Sequence, residues 1–271
     1  MKRKLLFILS ISTVIAVLLN LNGCRKTDRD SDEETQSAID NSAAQILFND
    51  VFKQIDQYAD TNKLLKLAAA PCDTSWVTGT VFPKTLTIKY DSLTGCTDPI
   101  GMKHKGKIKA IFTGLLSDSL SVITVYFDNL YIQGYQISGA QTITNKGYIN
   151  GAYTFSMNVS NARITTPAGK KINWNAQLTY KVIAGNTTST YKDDVLSITG
   201  TSSGSNISGT SFTATITSAI RYELSCRYLS GGILTITPGN LAPRTLDYGS
   251  GCDNTGTVTL TGNKSFSISL L

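Results

Sequence analysis

The sequence predicts a mainly β fold, an antiparallel β-sandwich or a strongly curved open sheet, with one N-terminal amphipathic helix. Three observations predict it. From Cys72 onward, short runs rich in Thr, Ser, Val, Ile and Tyr are broken by Gly, Asn and Asp about every ten residues, the pattern of antiparallel strands. Near the C-terminus the alternation is clean: Val258, Leu260, Phe266, Ile268 and Leu270 fall on one face and Thr257, Thr259, Ser265, Ser267 and Ser269 on the other, with Gly262-Asn263 at the turn. A half-buried hairpin follows. Upstream, from Ser37 to Tyr58, Ile39, Ala43, Ile46, Leu47, Val51, Ile55 and Tyr58 recur at steps of three and four, which is the helical period.

The chain opens with Met1-Lys2-Arg3-Lys4, an apolar run from Leu5 to Leu19, and then Leu21-Asn22-Gly23-Cys24. That order of charged, apolar and small residues is the order of a secretory signal, and the run is shorter than the roughly 20 apolar residues a spanning helix needs. Leu-x-Gly-Cys after such a run resembles the lipobox of bacterial lipoproteins, although Asn22 departs from the small or aliphatic residue usual there. The resemblance implies diacylation of Cys24, cleavage before it, and acylation of the new amino group. Two or three acyl chains hold a protein stably where one binds only marginally. Cleavage removes 23 of the 271 residues, leaves 248, and takes three positive charges with it, so the formal charge falls from +6 to +3. So small a charge gives no argument for nucleic acid as a partner.

Residues 24–36 form an acidic tether, with Asp28, Asp30, Asp32, Glu33 and Glu34 and nothing apolar to bury. An acidic cluster behind an acylated Cys also resembles the signal that exports Bacteroidota lipoproteins to the outer face of the outer membrane; a solvated linker carries the same composition. Residues 37–70 make the helical segment. Ser37 is its expected cap, with Asp40 three residues on, and a second short turn is expected over Leu64 to Ala70, before Pro71. The apolar stripe needs a sheet face to cover, and the polar face carries Asp40, Asp50 and Asp56 against Lys53 alone, which argues against a membrane-surface helix.

Residues 71–271 are expected to form a single antiparallel β domain. Its expected strands are Lys84 to Tyr90, Lys107 to Leu115, Ser121 to Phe127, Leu130 to Ile137, Tyr153 to Val159, Asn173 to Ile183, Val195 to Gly200, Thr210 to Ile216, Arg221 to Tyr228 and Ile233 to Thr237. Four cysteines besides Cys24, namely Cys72, Cys96, Cys226 and Cys252, sit in a chain that leaves the reducing cytosol, so two disulfides are expected. Spacing alone leaves three connectivities open. A weak internal repeat favours two local bridges: Pro83-Lys84-Thr85-Leu86 leads to Tyr90-Asp91 and Gly95-Cys96, and Pro243-Arg244-Thr245-Leu246 leads to Asp247-Tyr248 and Gly251-Cys252, with Cys72 and Cys226 at matching distances upstream.

The blocks Lys105-Gly106-Lys107-Ile108, Val122 to Asn129, and Arg244 to Tyr248 with Gly251-Cys252-Asp253-Asn254 resemble those of an uncharacterised family of Bacteroidota outer-membrane lipoproteins. The resemblance implies a location, at the cell surface or on the periplasmic face, and an architecture. It carries no catalytic residues.

Little in the sequence points to chemistry. A Ser-His-Asp or Cys-His arrangement needs an imidazole, and His104 is the only one, between Lys103 and Lys105 and beside no nucleophile elbow. The cysteines are too far apart for a zinc site. No cofactor motif is present. Paired carboxylates could hydrolyse a glycoside, yet the β region holds one glutamate, Glu223, and its aspartates fit turns. Asp193-Asp194 and the turn at Asp253 lack the spacing of a calcium loop. Asp91-Ser92-Leu93 and Asp118-Ser119-Leu120 match a short O-glycosylation pattern that chance turns also produce.

Two features are candidates for ligand binding. Lys103, Lys105, Lys107 and Lys109 alternate along an expected strand, so the four ammonium groups share one face, where they could meet phosphates or uronates of a surface polysaccharide or protect a sheet edge. Tyr131, Gln133 and Tyr135 are expected to share a face, for sugar stacking or for cross-strand packing. The expected function is that of a membrane-anchored envelope lipoprotein with a non-catalytic binding or structural role toward polysaccharide or another envelope protein. A two-carboxylate glycan hydrolase and a carrier of an apolar ligand are the rivals.

Overall fold

The computed structural model describes residues 32–59, 72–91, 93–185 and 191–271. The signal segment, Cys24, most of the tether and the turn expected at 64–70 lie outside them. The described chain has one long helix, α1 (Gln36–Tyr58), followed by β1 (Asp73–Thr78), β2 (Lys84–Tyr90), the two-residue β3 (Cys96–Thr97), β4 (Lys103–Phe112), β5 (Val122–Ile132), β6 (Tyr135–Ile149) and β7 (Ala152–Thr165). Then come β8 (Lys171–Ala184), a 3-10 turn at Tyr191–Asp193, β9 (Val195–Ser205), β10 (Ser211–Glu223), β11 (Gly231–Pro238), β12 (Arg244–Ser250), β13 (Thr255–Thr259) and β14 (Ser265–Ser269). All the strands belong to one antiparallel sheet in chain order, except that β3 pairs beside β4. The sheet is open, with β1 and β14 at its ends. The hairpin expected at the C-terminus is present, with Val258, Leu260, Ile268 and Leu270 buried as the alternation requires.

Curvature follows from two hydrogen bonds. The Ser42 hydroxyl bonds Tyr248 Oη on β12 at 2.9 Å, and the Tyr90 hydroxyl on β2 donates to Gln54 Oε1 at 3.0 Å. Those helix positions are twelve residues apart, about 18 Å along the axis. The two strands are nine steps apart in the sheet, about 43 Å if it were flat. The sheet therefore curls round α1, with the helix along its concave side. Tyr90 and Tyr248 fall in the matching stretches of the two repeat copies, seven and five residues after Pro83 and Pro243, and both grip the helix.

Wrapping changes what the helix must be. A stripe on a flat face leaves a polar side in water, but here Asp40, Asn41, Ser42, Gln45, Asn49, Asp50, Lys53 and Gln54 are buried along with the apolar stripe. Their partners come from the sheet's inner wall: Trp174 Nε1 donates to Asn41 Oδ1 at 2.9 Å, Ser202 Oγ donates to the same atom at 2.7 Å, and the Tyr180 hydroxyl donates to Asn49. Aromatic packing fills the rest, with Phe48 stacked on Trp174 and Phe52 edge-on to Phe155 and Tyr180. The expected cap is also corrected. Glu34 Oε1 accepts from both the amide and the hydroxyl of Ser37, and Asp40 instead accepts the Ile207 amide of the β9–β10 turn at 2.7 Å. Glu34 also receives the buried Arg244 guanidinium at its backbone oxygen, so the folded body begins at this residue rather than after the tether's end.

Two expected strand breaks are bulges. β5 runs through Asp128-Asn129 because Asn129, at φ 48°, takes up one extra residue opposite Gly106. Gly106 has φ 89°, and a Cβ there would lie 2.0 Å from Asn129 O, so no other residue fits. The actual turn comes later, at Gln133-Gly134, where both residues have positive φ as a two-residue hairpin loop requires. β10 likewise joins the segments expected as Thr210 to Ile216 and Arg221 to Tyr228, ending at Glu223. Disulfides join Cys72 to Cys96 and Cys226 to Cys252, enclosing the β1–β2 and β11–β12 hairpins, the pairing the repeat favours.

Candidate functional site

The titratable groups gather at two places, one sealed inside the curl and one open on its outer face. Inside, Lys53 follows Asp50 by one helical turn, and its Nζ lies 2.8 Å from Asp50 Oδ1 and 2.9 Å from Asp98 Oδ2. Asp98 is held by its own turn, whose Ile100 and Met102 amides donate to Oδ1. His104 on β4 places Nε2 2.6 Å from Asp50 Oδ2 and stacks its ring on Tyr90. The side chains of Asp50, Lys53 and His104 are at most 2% exposed.

Burial pushes the Asp50 carboxyl up, but the Lys53 ammonium first and the His104 ring beside it next outweigh that and hold the group well below the usual carboxylate range. Burial works against the Lys53 ammonium, and Asp50 foremost keeps it protonated above its ordinary range. Burial raises the phenol of Tyr222, which lies in the field of the same cluster. Groups fixed in one charge state near neutral pH and sealed from solvent do not exchange protons with a substrate. Asp50, Asp98 and His104 also offer three ligand atoms within 4.8 Å of one another, a spacing that suits a metal. The Lys53 ammonium bonded to both carboxylates already supplies the positive charge. The sequence pattern puts Asp50 and Lys53 on a solvent face and gives His104 no role beyond that of a surface or packing residue. The signal that could have joined them is a helix whose polar residues recur too often for one exposed face.

Outside, the strand pattern places Lys103, Lys105, Lys107 and Lys109 on one face of β4, as expected, about 7 Å apart and about 20 Å in all. They do not guard an edge, because β4 is hydrogen-bonded to β2 on one side and β5 on the other. The register adds two residues the sequence did not bring in. Lys89 of β2 stands directly opposite Lys107, and exposed Tyr126 of β5 stands opposite Lys109. Lys107 pairs with Asp128 at 2.9 Å, and this hydrogen bond and charge hold the exposed Asp128 carboxyl below its usual range. Asp91, lowered chiefly by the Thr94 and Leu93 amides, also feels Lys105.

The tyrosine expectation needs correction. Tyr131 lies opposite Lys105 on the outer face, but Gln133 is in the hairpin turn and Tyr135 stands opposite buried Ile132, packed toward the core. The turn reverses the chain between them, so the three cannot form one period-2 row. Gln133 Oε1 instead accepts the Lys103 amide at 2.9 Å. The other expected acids behave as turn residues: Asp118 Oδ2 accepts the Leu115 amide and Asp253 Oδ1 the Thr255 amide. Glu223 pairs with Arg221 at 2.9 Å. Ser92 lies outside the described residues.

Two shallow grooves of about 370 and 460 Å3 open on the outer face of β6 to β10, lined by such residues as Asn161, Asn175, Gln177, Ser203 and Thr213. Compared with the families of known proteins, with curated proteins and with solved structures, the chain matches none.

Proposed function

We propose that the chain is a lipid-anchored envelope protein of the Bacteroidota outer-membrane type, held by acyl chains on Cys24, whose folded body works by binding or support and not by catalysis. The observation that carries this reading is the sealed cluster. The one described place where carboxylates, a cation and an imidazole converge is buried under the helix, with Asp50 and Lys53 each held in its charged form by the other, while the outer wall is an open polar surface. The same packing weighs against a carrier of apolar ligands, since α1 lies where such a ligand would sit. A two-carboxylate hydrolase finds Asp50 and Asp98 bonded to one ammonium with no room for substrate between them.

The test has two arms. Mass spectrometry of the protein from its native envelope finds an acylated residue 24 at the mature N-terminus. The purified chain shows no turnover of glycan, ester or peptide panels above buffer. A free thiol at Cys24 defeats the anchor, and sustained turnover defeats the non-catalytic role.

A further inference from the structure

We infer that the outer face of β4 and its neighbours is a binding track for a linear acidic polysaccharide, its carboxylates taken by Lys89, Lys103, Lys105 and Lys109. The inference rests on the binding part of the role proposed above and names the ligand class of that surface.

Cost is the first argument. Like charges directly opposite on neighbouring strands destabilise a sheet, and Lys89 faces Lys107 across the β2–β4 pair. The usual reason to accept lysines on a strand, protection of a free edge, does not apply where both sides are paired. Among the described residues, Lys107 alone of the five has a carboxylate in salt-bridge contact, Asp128, which also feels Lys109, and Asp91 sits in a turn beside Lys105. An uncompensated column of positive charge is what an anionic ligand would relieve.

Shape and composition select among anions. Lysines recur about every 7 Å along one strand, which suits a chain with charges at repeated intervals. Tyr126 and Tyr131 flank the column opposite Lys109 and Lys105, offering ring faces to pyranose rings. Beside the track the register lines up neutral hydrogen-bonding residues, Thr85, Thr124 and Thr142, able to meet sugar hydroxyls. None of the five cations is arginine, the residue favoured for bidentate phosphate and nucleic-acid contacts, and one exposed aliphatic side chain near the column, Leu93 in the Asp91 turn, is less apolar surface than contact with a lipid bilayer requires.

The full chain, purified in detergent, is titrated with polygalacturonate and with neutral dextran at 50 and 300 mM salt. Polygalacturonate binds, dextran does not, and binding weakens at least tenfold at the higher salt as screening requires. The variant Lys89→Gln/Lys105→Gln/Lys109→Gln binds at least tenfold more weakly, and its melting temperature is unchanged or higher because the repulsion is relieved. Duplex DNA and phosphatidylglycerol micelles at equal charge concentration compete less well than the polymer itself. Absence of binding by the wild type, undiminished binding by the variant, or stronger competition by DNA or lipid each overturns the inference. Binding accompanied by new reducing ends leaves it standing and defeats the non-catalytic reading, whereas absence of binding defeats only the inference.

Discussion

Replacing Lys53 with methionine tests whether the sealed cluster locks the helix into the sheet. The substitution keeps the aliphatic stem and removes the ammonium that bonds Asp50 at 2.8 Å and Asp98 at 2.9 Å. Two carboxylates then face His104 with no cation between them, and Asp50 remains 2% exposed. Breaking a buried ion pair from one side costs about 3–5 kcal/mol, because the surviving charge keeps its desolvation penalty. With a urea dependence of about 3 kcal/mol per molar for a domain of this size, the midpoint falls by about 1–1.7 M. The triple change Asp50→Asn/Lys53→Met/Asp98→Asn recovers most of that loss, since removing a buried pair as a whole is close to neutral. Urea titration followed by Trp174 fluorescence reads both. A Lys53→Met protein within about 1 kcal/mol of wild type would refute the reasoning, as would a triple variant no better than the single one.

Acid titration checks the same cluster by another route. The folded pKa of Asp50 lies below its unfolded value of about 3.9, so its contribution is complete above pH 4 and is lost as the pH falls toward the folded value, at about 1.4 kcal/mol per unit of separation. Asp50→Asn should flatten the acid limb of stability below pH 4, and an unchanged limb counts against the assignment. Opening the second bridge with Cys226→Ala/Cys252→Ala should cost about 3.5 kcal/mol by loop-closure entropy over its 26-residue separation, measured by thermal unfolding against a reduced wild-type control. Gly106→Ala should destabilise by more than about 2 kcal/mol, because the added methyl meets Asn129 O at 2.0 Å and φ is positive; a variant as stable as wild type would mean the bulge is absent. Trp174→Phe should cost about 2–4 kcal/mol through the lost bond to Asn41 and the lost stacking on Phe48, and should leave a red-shifted emission from half-exposed Trp76.

Much of the architecture is legible residue by residue. The bounds of β2 follow from its Thr, Ile and Tyr content between turn residues, and the final hairpin follows from period-2 burial and Gly262-Asn263, because strand faces and tight turns depend on neighbours in sequence. The column of lysines on β4 is visible for the same reason. Asp128-Asn129 was misleading because a bulge and a turn use the same residues, and only the partner strand, with Gly106 opposite, tells them apart. Tyr135 was assigned to the wrong face because one misplaced turn inverts every side chain after it.

The sequence by itself determined the period of each element and the outward lysines, and through the weak repeat it favoured the two local disulfides without excluding the other connectivities. Tertiary structure alone decided that the sheet curls round α1, that the polar side of the helix is interior, and that Asp50, Lys53, Asp98 and His104 meet. The physical reason is range. Periodicity and turn chemistry act over a few residues, whereas curvature sums small twists over the whole sheet and brings together groups from the helix, the turn after β3 and the start of β4, up to 54 residues apart.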